Sequence, residues 1–424
     1  MSRIVIIGNG IAGVTAARFI RKAGDEPITI ISAESEHFFS RTALMYIYMG
    51  HMTYEHTKPY EDWFWSKNGI SLVRGWVNRI DHTTKTLFLD GGRPIEYDKL
   101  IIAVGSQPNR FGWPGENLDN VQGLYSLQDL QTMQEATSGI DHATVVGGGL
   151  IGIEMAEMLH SRGIPTLFLV RENSYMDYLL PAEESQMINN EIRRHHIDLR
   201  LGTELKEIIG SDGSVSSVRT SDGDEVQTGF VGLTAGVSPA IDFLDNSGIE
   251  TNRGVLINEY FETNVEDVYA VGDCAEFRDP EIGHKKIEQL WYTGRRQGKR
   301  LGLNIVGKKT PYDKGIFFNS AKFFTIEYQT YGHIAASADE ATGSVLWSDT
   351  DSRRLLRINY SRADNTVVGF NAFGVRLRHE QCEAWLHGRA QVEDVVREIS
   401  RALFDPEFTR KIPGGLQSSS PVST

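Results

Sequence analysis

Short apolar runs and helical patterns alternate along most of the chain. Residues 3–7 (RIVII) are an apolar run closed by glycine, as in a buried strand. A helical pattern runs from Val14 to Lys22, and a second apolar run follows at 28–31 (ITII). This is the β-α-β grammar of a parallel sheet. The same order returns at 143–146 (ATVV), 151–162 and 166–170 (TLFLV), so one supersecondary unit occurs twice. Further strands are predicted at 70–73, 86–89, 99–104, 229–234, 254–257 and 267–271, and the turn-rich stretch 106–117 reads as a connection leaving the first domain. Beyond residue 317 the period changes. Alternating runs at 343–348, 354–360 and 366–372 predict antiparallel strands with a turn near Asp364 and Asn365, and a helix is predicted over 379–403. Residues 413–424 are poor in apolar side chains and read as a disordered tail.

Both β-α-β units carry a glycine loop at the strand-to-helix turn. The first is Gly8-Asn9-Gly10-Ile11-Ala12-Gly13. In such a loop the first glycine permits the tight turn, the second lets backbone approach a pyrophosphate, and the third lets helix pack on sheet. The helix N-terminus then offers unpaired N–H groups to the phosphates. Glu34, just past strand 28–31, is the candidate for the ribose hydroxyls, although the polar sequence Ser35-Glu36 also suits a plain loop. The second loop is Gly147-Gly148-Gly149-Leu150-Ile151-Gly152. Two such loops point to two dinucleotide sites. Glu154 lies near the start of the second helix, where the dipole favours a carboxylate. Glu157, one turn on, reads as a solvated charge. Strand 166–170 ends at Val170 with Arg171 next, which favours a 2′-phosphate and hence NADPH over NADH. Glu172 opposes that preference, and Arg171 also fits an ordinary surface charge.

Composition narrows the partners. The 424 residues carry 43 Lys and Arg against 56 Asp and Glu, a net charge of −13, which argues against nucleic acid as the main partner. The two cysteines, Cys274 and Cys382, form no CxxC pair. No stretch approaches the ~20 apolar residues of a membrane span, and the first strand leaves no room for a signal peptide, so the cytoplasm is the expected location. The aromatic segment 53–68 reads as core packing or as part of a partner surface, and Arg295, Arg296, Lys299 and Arg300 read as a solvated helix face or a basic patch. His195-His196 is assigned no metal, because neighbours on a helix do not face one ligand.

Four motifs in order carry a resemblance: Gly8–Gly13; Ile102-Ala103-Val104-Gly105-Ser106-Gln107-Pro108; Gly147–Gly152 with Glu154 and Ala156; and Asp267 to Ala275, which contains Gly272-Asp273-Cys274. Together they resemble the pyridine nucleotide–disulfide oxidoreductases, flavoproteins with two dinucleotide sites, over about residues 3–333. Residues 286–332 are similar to the ferredoxin and rubredoxin reductase branch at Glu288, Gln297-Gly298, Asn304, Gly307, Pro311-Tyr312, Phe318, Ser320 and Gly332. The resemblance implies an α/β fold of two Rossmann-like dinucleotide-binding domains, for FAD and NAD(P), plus a C-terminal α+β domain. It implies FAD on Gly8, Gly10, Ile11, Ala12, Gly13, Ala103 and Gly105, with Arg41 alongside, Asp273 at the ribityl or phosphate region, and Glu288, Gln289 and Leu290 near the isoalloxazine ring. The nicotinamide dinucleotide falls to Gly147, Gly149, Leu150, Ile151, Gly152, Arg171 and Gly236, with Glu154 beside the nicotinamide as the catalytic candidate. The chain departs from the pattern where relatives place reactive cysteines, with Thr42 and Ala43 instead. It also has Tyr46 for a lysine, Asn319 for a tryptophan and Ala33 for an acid. Cys274 therefore reads as packing.

The domains implied are 1–112 with 240–316 for FAD, 113–239 for NAD(P), an interface domain at 317–412 and the tail at 413–424. The expected function is hydride transfer from NAD(P)H to FAD and electron delivery to a small iron–sulfur or rubredoxin-type protein, by a monomer or homodimer. A quinone, small-molecule or oxygen reductase, and a redox sensor of the apoptosis-inducing-factor type, are the alternatives.

Overall fold

The computed structural model of the protein describes residues 2–280, 285–337, 339–349, 351, 353–405, 407 and 417–418. These form two compact units, one of residues 1–109, 123–136 and 236–314, the other of 110–122, 137–235 and 315–424.

The first unit is built on a five-stranded parallel sheet in the order Val268–Ala270, Lys99–Ile102, Ile4–Ile7, Ile28–Ser32, Ile70–Arg74. Ile4 to Ile7 are buried on both faces, which is why this strand is a continuous apolar run rather than an alternating one. Helix Ile11–Ala23 returns the chain across the sheet, and helix Trp291–Val306 packs along it. A Cβ on Gly298 would sit 2.3 Å from the Ala12 carbonyl oxygen and one on Gly302 2.7 Å from that of Ala16, so the two backbones meet with no side chain between them. This contact places Gln297, whose Oε1 accepts from the Gly272 N–H at 2.9 Å. The run at 86–89 does not join the parallel sheet. It pairs with Val77–Asp81 and Ile95–Glu96 in a small antiparallel sheet, because connections of four and five residues are too short for a parallel crossover and permit only hairpin-type pairing. Of the Phe, Tyr and Trp side chains in 53–68, Trp65 is buried, Tyr60 stacks on Phe64 at 4.5 Å, and only Trp63 is exposed. Trp65 belongs to the core of this unit, and Tyr60 and Phe64 pack against it.

The second unit repeats the design, with parallel strands in the order Asp198–Leu201, Thr166–Val170, Ala143–Val146, Phe230–Leu233, Val121–Gln122. The register Ala143↔Thr166 matches Ile4↔Ile28 in the first sheet, one strand start against the next. A three-stranded antiparallel sheet, Leu205–Ser211 with Ser214–Thr220 and Glu225–Gln227, lies within the same unit.

The C-terminal region supplies an antiparallel sheet in the order Phe318–Phe323, Ile326–Gly332, Val367–Phe373, Leu355–Ser361, Thr342–Ser348, Gln417–Ser418. It is tied to helix Ala182–Arg194 by a buried ion pair. Arg357 Nε donates to Glu184 Oε1 at 2.6 Å, and its Nη2 reaches Glu184 Oε2 at 3.0 Å and Glu183 Oε2 at 2.8 Å. The helix predicted over 379–403 is broken into His379–His387 and Val392–Glu398. Gly388 ends the first, Arg389 takes φ +48°, and Ala390 turns its carbonyl to the Val367 N–H, so the start of an interior strand captures what helical periodicity would have continued. Of the tail at 413–424, all but Gln417–Ser418 lies outside the described residues.

Candidate functional site

The two glycine loops have matching geometry. Gly8 and Gly147 have φ of +108° and +115°, which only glycine adopts without strain. Their N–H groups bond Ile31 and Leu169 carbonyls at 2.8 and 2.9 Å, closing each turn against the second strand of its unit. A Cβ at Gly13 would lie 2.3 Å from the Gly8 carbonyl oxygen, and one at Gly152 2.1 Å from that of Gly147, so these positions are closed by their own loops. The middle glycines differ. A Cβ on Gly10 or on Gly149 would meet no atom within 4 Å. Each loop is thus sealed on the sheet side and open above its middle glycine, at the N-terminus of helix Ile11–Ala23 or Leu150–Ser161. Neither helix has a side-chain cap on its first N–H groups, as a phosphate cradle requires. Pyrophosphates fit both.

Around the first cradle the predicted residues converge on a charged cluster. Arg41 clamps Glu34, Nη1 on Oε1 at 2.7 Å and Nη2 on Oε2 at 2.5 Å, and donates to the Tyr125 carbonyl at 2.5 Å. The guanidinium lies 4.5 Å from the centroid of the Tyr125 ring. Glu34 also accepts from the Leu127 N–H at 2.9 Å. The Tyr125 hydroxyl donates toward Asp273 at 3.3 Å and accepts the Ser106 N–H at 3.0 Å, beside Gly105. Burial pushes the Asp273 carboxyl up to about 6, against the pull of Tyr125 and Arg41. Ala103 backs Gly8, whose Cβ would fall 2.1 Å from the Ala103 oxygen. Gln289 Nε2 donates to Ser106 Oγ at 2.8 Å, Glu288 pairs with Lys314, and Leu290 is the N-cap of helix Trp291–Val306. Gly236 takes φ +94° and accepts the Asn109 N–H at 3.1 Å.

Around the second cradle, Tyr175 donates its buried hydroxyl to the Gly149 carbonyl at 2.9 Å and so fixes the loop. Glu154 is half-buried on the helix behind it. Burial, reinforced by the Glu157 carboxylate and opposed by Lys322, raises the Glu154 carboxyl to about 7. Glu157 is not the solvated charge its sequence position suggests. It is buried and ion-paired with Lys322, because strand Phe318–Phe323 packs on that helix face. Arg171 is exposed at the strand end and bonds Glu172 at 2.8 Å.

Tyr125, Tyr175, Asn9, Lys314 and Lys322 are given no role by the sequence reading, and Gln297 enters it only as a point of family resemblance. Asn9, which donates to the Ser35 carbonyl at 2.9 Å and ties loop to loop, sits inside the first motif and was open to inspection. The others stand in stretches without a motif. The two cysteines are buried, and burial lifts their thiols to about 11 for Cys274 and about 12 for Cys382. Neither is a thiolate near neutral pH.

Residues 2–298 match the family model described as pyridine nucleotide-disulphide oxidoreductase. Among curated relatives, the nitrite reductase [NAD(P)H] of Bacillus subtilis is 31% identical over 88% of this chain and 45% of its own length. The NADH-rubredoxin oxidoreductase of Clostridium acetobutylicum is 27% identical over 74% of this chain and 77% of its own. The chain spans about half the length of the first curated relatives it matches. Among solved structures, the ferredoxin reductase for the CYP199A2 system of Rhodopseudomonas palustris shares the fold, with TM-score 0.80 and 21% identity over 88% of this chain and 91% of its own.

Proposed function

Because the chain belongs to the pyridine nucleotide-disulphide oxidoreductase family, we propose that it takes a hydride from NAD(P)H onto FAD and hands the electrons to a small redox protein of rubredoxin or ferredoxin type. The observation that carries this reading is the pair of phosphate cradles, each open only above its middle glycine. In this reading residues 1–109, 123–136 and 236–314 hold FAD, and 110–122 with 137–235 hold the nicotinamide dinucleotide. A bound flavin supplies the capacity to accept two electrons and release them singly.

The chain's own residues do the rest. Gly8, Gly10 and Gly13 bring backbone N–H groups to the FAD pyrophosphate. The Glu34–Arg41 pair holds the adenosine end, with Arg41 facing phosphate charge and Glu34 Oε2, which accepts from Arg41 alone, keeping a lone pair for a ribose hydroxyl. Asp273, Tyr125 and Gln289 line the flavin side. Gly147, Gly149 and Gly152 cradle the second dinucleotide and Glu154 adjoins its nicotinamide. Arg171 after Val170, with no acid at the strand end itself, supports NADPH as the better donor. With Thr42 and Ala43 where relatives keep reactive cysteines, and both thiols buried, electrons leave without a sulfur relay.

The test is anaerobic titration of the flavin-loaded protein with NADPH and with NADH, followed by turnover with rubredoxin, ferredoxin, a quinone and oxygen. Rapid bleaching and turnover with a rubredoxin or ferredoxin are expected. Fast bleaching with turnover only on quinone or oxygen would replace the acceptor. Bleaching too slow for any turnover would replace the enzyme with a redox sensor.

A further inference from the structure

The strand Phe318–Phe323 brings a lysine to the second cradle's helix that no motif announces. Lys322 Nζ is ion-paired with Glu157 Oε1, whose side chain is 10% exposed, and Glu157 Oε2 is buried without a hydrogen-bond partner. Glu154 precedes Glu157 by three residues, so the two carboxyls share one helix face. Tyr175 faces Glu154 from the loop after strand Thr166–Val170, and its hydroxyl is committed to Gly149. His195, which bonds Glu191 at 3.2 Å, faces Glu157 from the end of helix Ala182–Arg194. Glu154 therefore lies next to one carboxylate and one ammonium that are locked to each other.

We propose that Lys322 and Glu157 are positioning residues which set the charge of Glu154 and through it the preference of the site for oxidised over reduced nicotinamide. The proposal rests on the reading that Glu154 adjoins the nicotinamide. When the dinucleotide gives up its hydride, the C4–H bond breaks, both electrons leave with the hydrogen for flavin N5, and the ring is left a cation. An ionised Glu154 stabilises that cation, whereas a protonated one does not. Lys322 favours the ionised form and Glu157 opposes it, and burial holds the balance close to neutrality, where small changes in either neighbour alter the charge. The proton lost by Glu154 goes to solvent on binding of the oxidised dinucleotide and returns when that product leaves.

The two neighbours act with opposite sign, which gives a test that general damage cannot imitate. The readout is the affinity for NADP+ across pH 5.5–9 by calorimetry of the flavin-loaded protein, in two buffers of different ionisation enthalpy to count protons released. Wild type should bind more tightly as pH rises through the Glu154 transition. Lys322→Met should move that transition up by at least ~0.5 pH unit, and Glu157→Gln should move it down by a similar amount, each roughly threefold in affinity on the acid side of the midpoint. Lys322→Arg, which keeps the cation, should restore the wild-type profile, and it carries the test with Glu157→Gln if the methionine variant fails to fold. His195, and His160 on the helix of Glu157, are left unchanged in every variant. If Glu154→Gln flattens the profile but the Lys322 and Glu157 variants superimpose on wild type, the inference is wrong while the site reading stands. If Glu154→Gln leaves both profile and affinity unchanged, the placement of nicotinamide beside Glu154 is itself wrong.

Discussion

Replacing Gly10 by alanine should separate cofactor binding from folding. Gly10 sits at φ −71° and ψ −179°, extended backbone that alanine adopts freely, and its Cβ would touch nothing within 4 Å. The apo protein should therefore keep its stability to within about 1 kcal/mol, with any change as easily favourable as not. FAD should fare differently. The methyl group would occupy the space through which a pyrophosphate approaches the loop N–H groups. Backing the phosphates off weakens two charge-assisted hydrogen bonds worth about 1.5 kcal/mol or more each. A loss of about 3 kcal/mol is roughly a hundredfold in Kd. Gly13→Ala makes the contrast. Its Cβ would fall 2.3 Å from the Gly8 oxygen, so the helix must shift and the apo protein should lose about 1–3 kcal/mol. The assays are quenching of flavin fluorescence for Kd and urea unfolding of the apo protein. A Gly10→Ala protein that binds FAD within threefold of wild type would refute the cradle. Gly149→Ala, with the same open surroundings, should spare FAD and weaken NAD(P)H alone.

Three further outcomes are expected. Arg171→Glu should shift the NADPH-to-NADH preference in kcat/KM by about tenfold or more toward NADH, as a carboxylate at the strand end repels a 2′-phosphate and accepts from a diol; an unchanged ratio would discard the donor preference. Arg357→Met leaves the buried Glu184 carboxylate without its partner and should cost about 3–5 kcal/mol in urea unfolding, while Glu184→Leu combined with Arg357→Met should recover most of it. Equal midpoints for the single and double variants would remove that ion pair from the account of the C-terminal sheet. Asp273 has a carboxyl raised to about 6 in the apo protein. The folded state then binds more protons than the unfolded one between pH 4 and 6, so this group lowers stability as pH rises through that window. Asp273→Asn should remove its share of the slope of apo Tm against pH, and identical slopes would show that the group is not perturbed.

What the sequence determined by itself lies in short stretches where local chemistry has one structural solution. The doubled strand–glycine–helix unit is one: Ile4–Ile7 and Ala143–Val146, apolar but for Thr144, are buried on both faces because parallel sheets are covered on both sides, and Gly8 and Gly147 stand where no side chain fits. Those features set the fold and both cradles. What only the tertiary structure decided involves residues whose partners lie far along the chain. Tyr125 meets Asp273 across 148 positions, and Lys322 meets Glu157 across 165. A carboxylate at helical spacing such as Glu157 has the same local sequence whether it faces water or a strand, so periodicity assigned it to solvent. The break at Gly388–Ala390 has the same origin, since the helical signal is local while the strand start at Val367 that captures the backbone belongs to another part of the fold. Local preference is worth tenths of a kcal/mol per residue, and burial or a long-range pair is worth several times that, so where they disagree the distant partner decides.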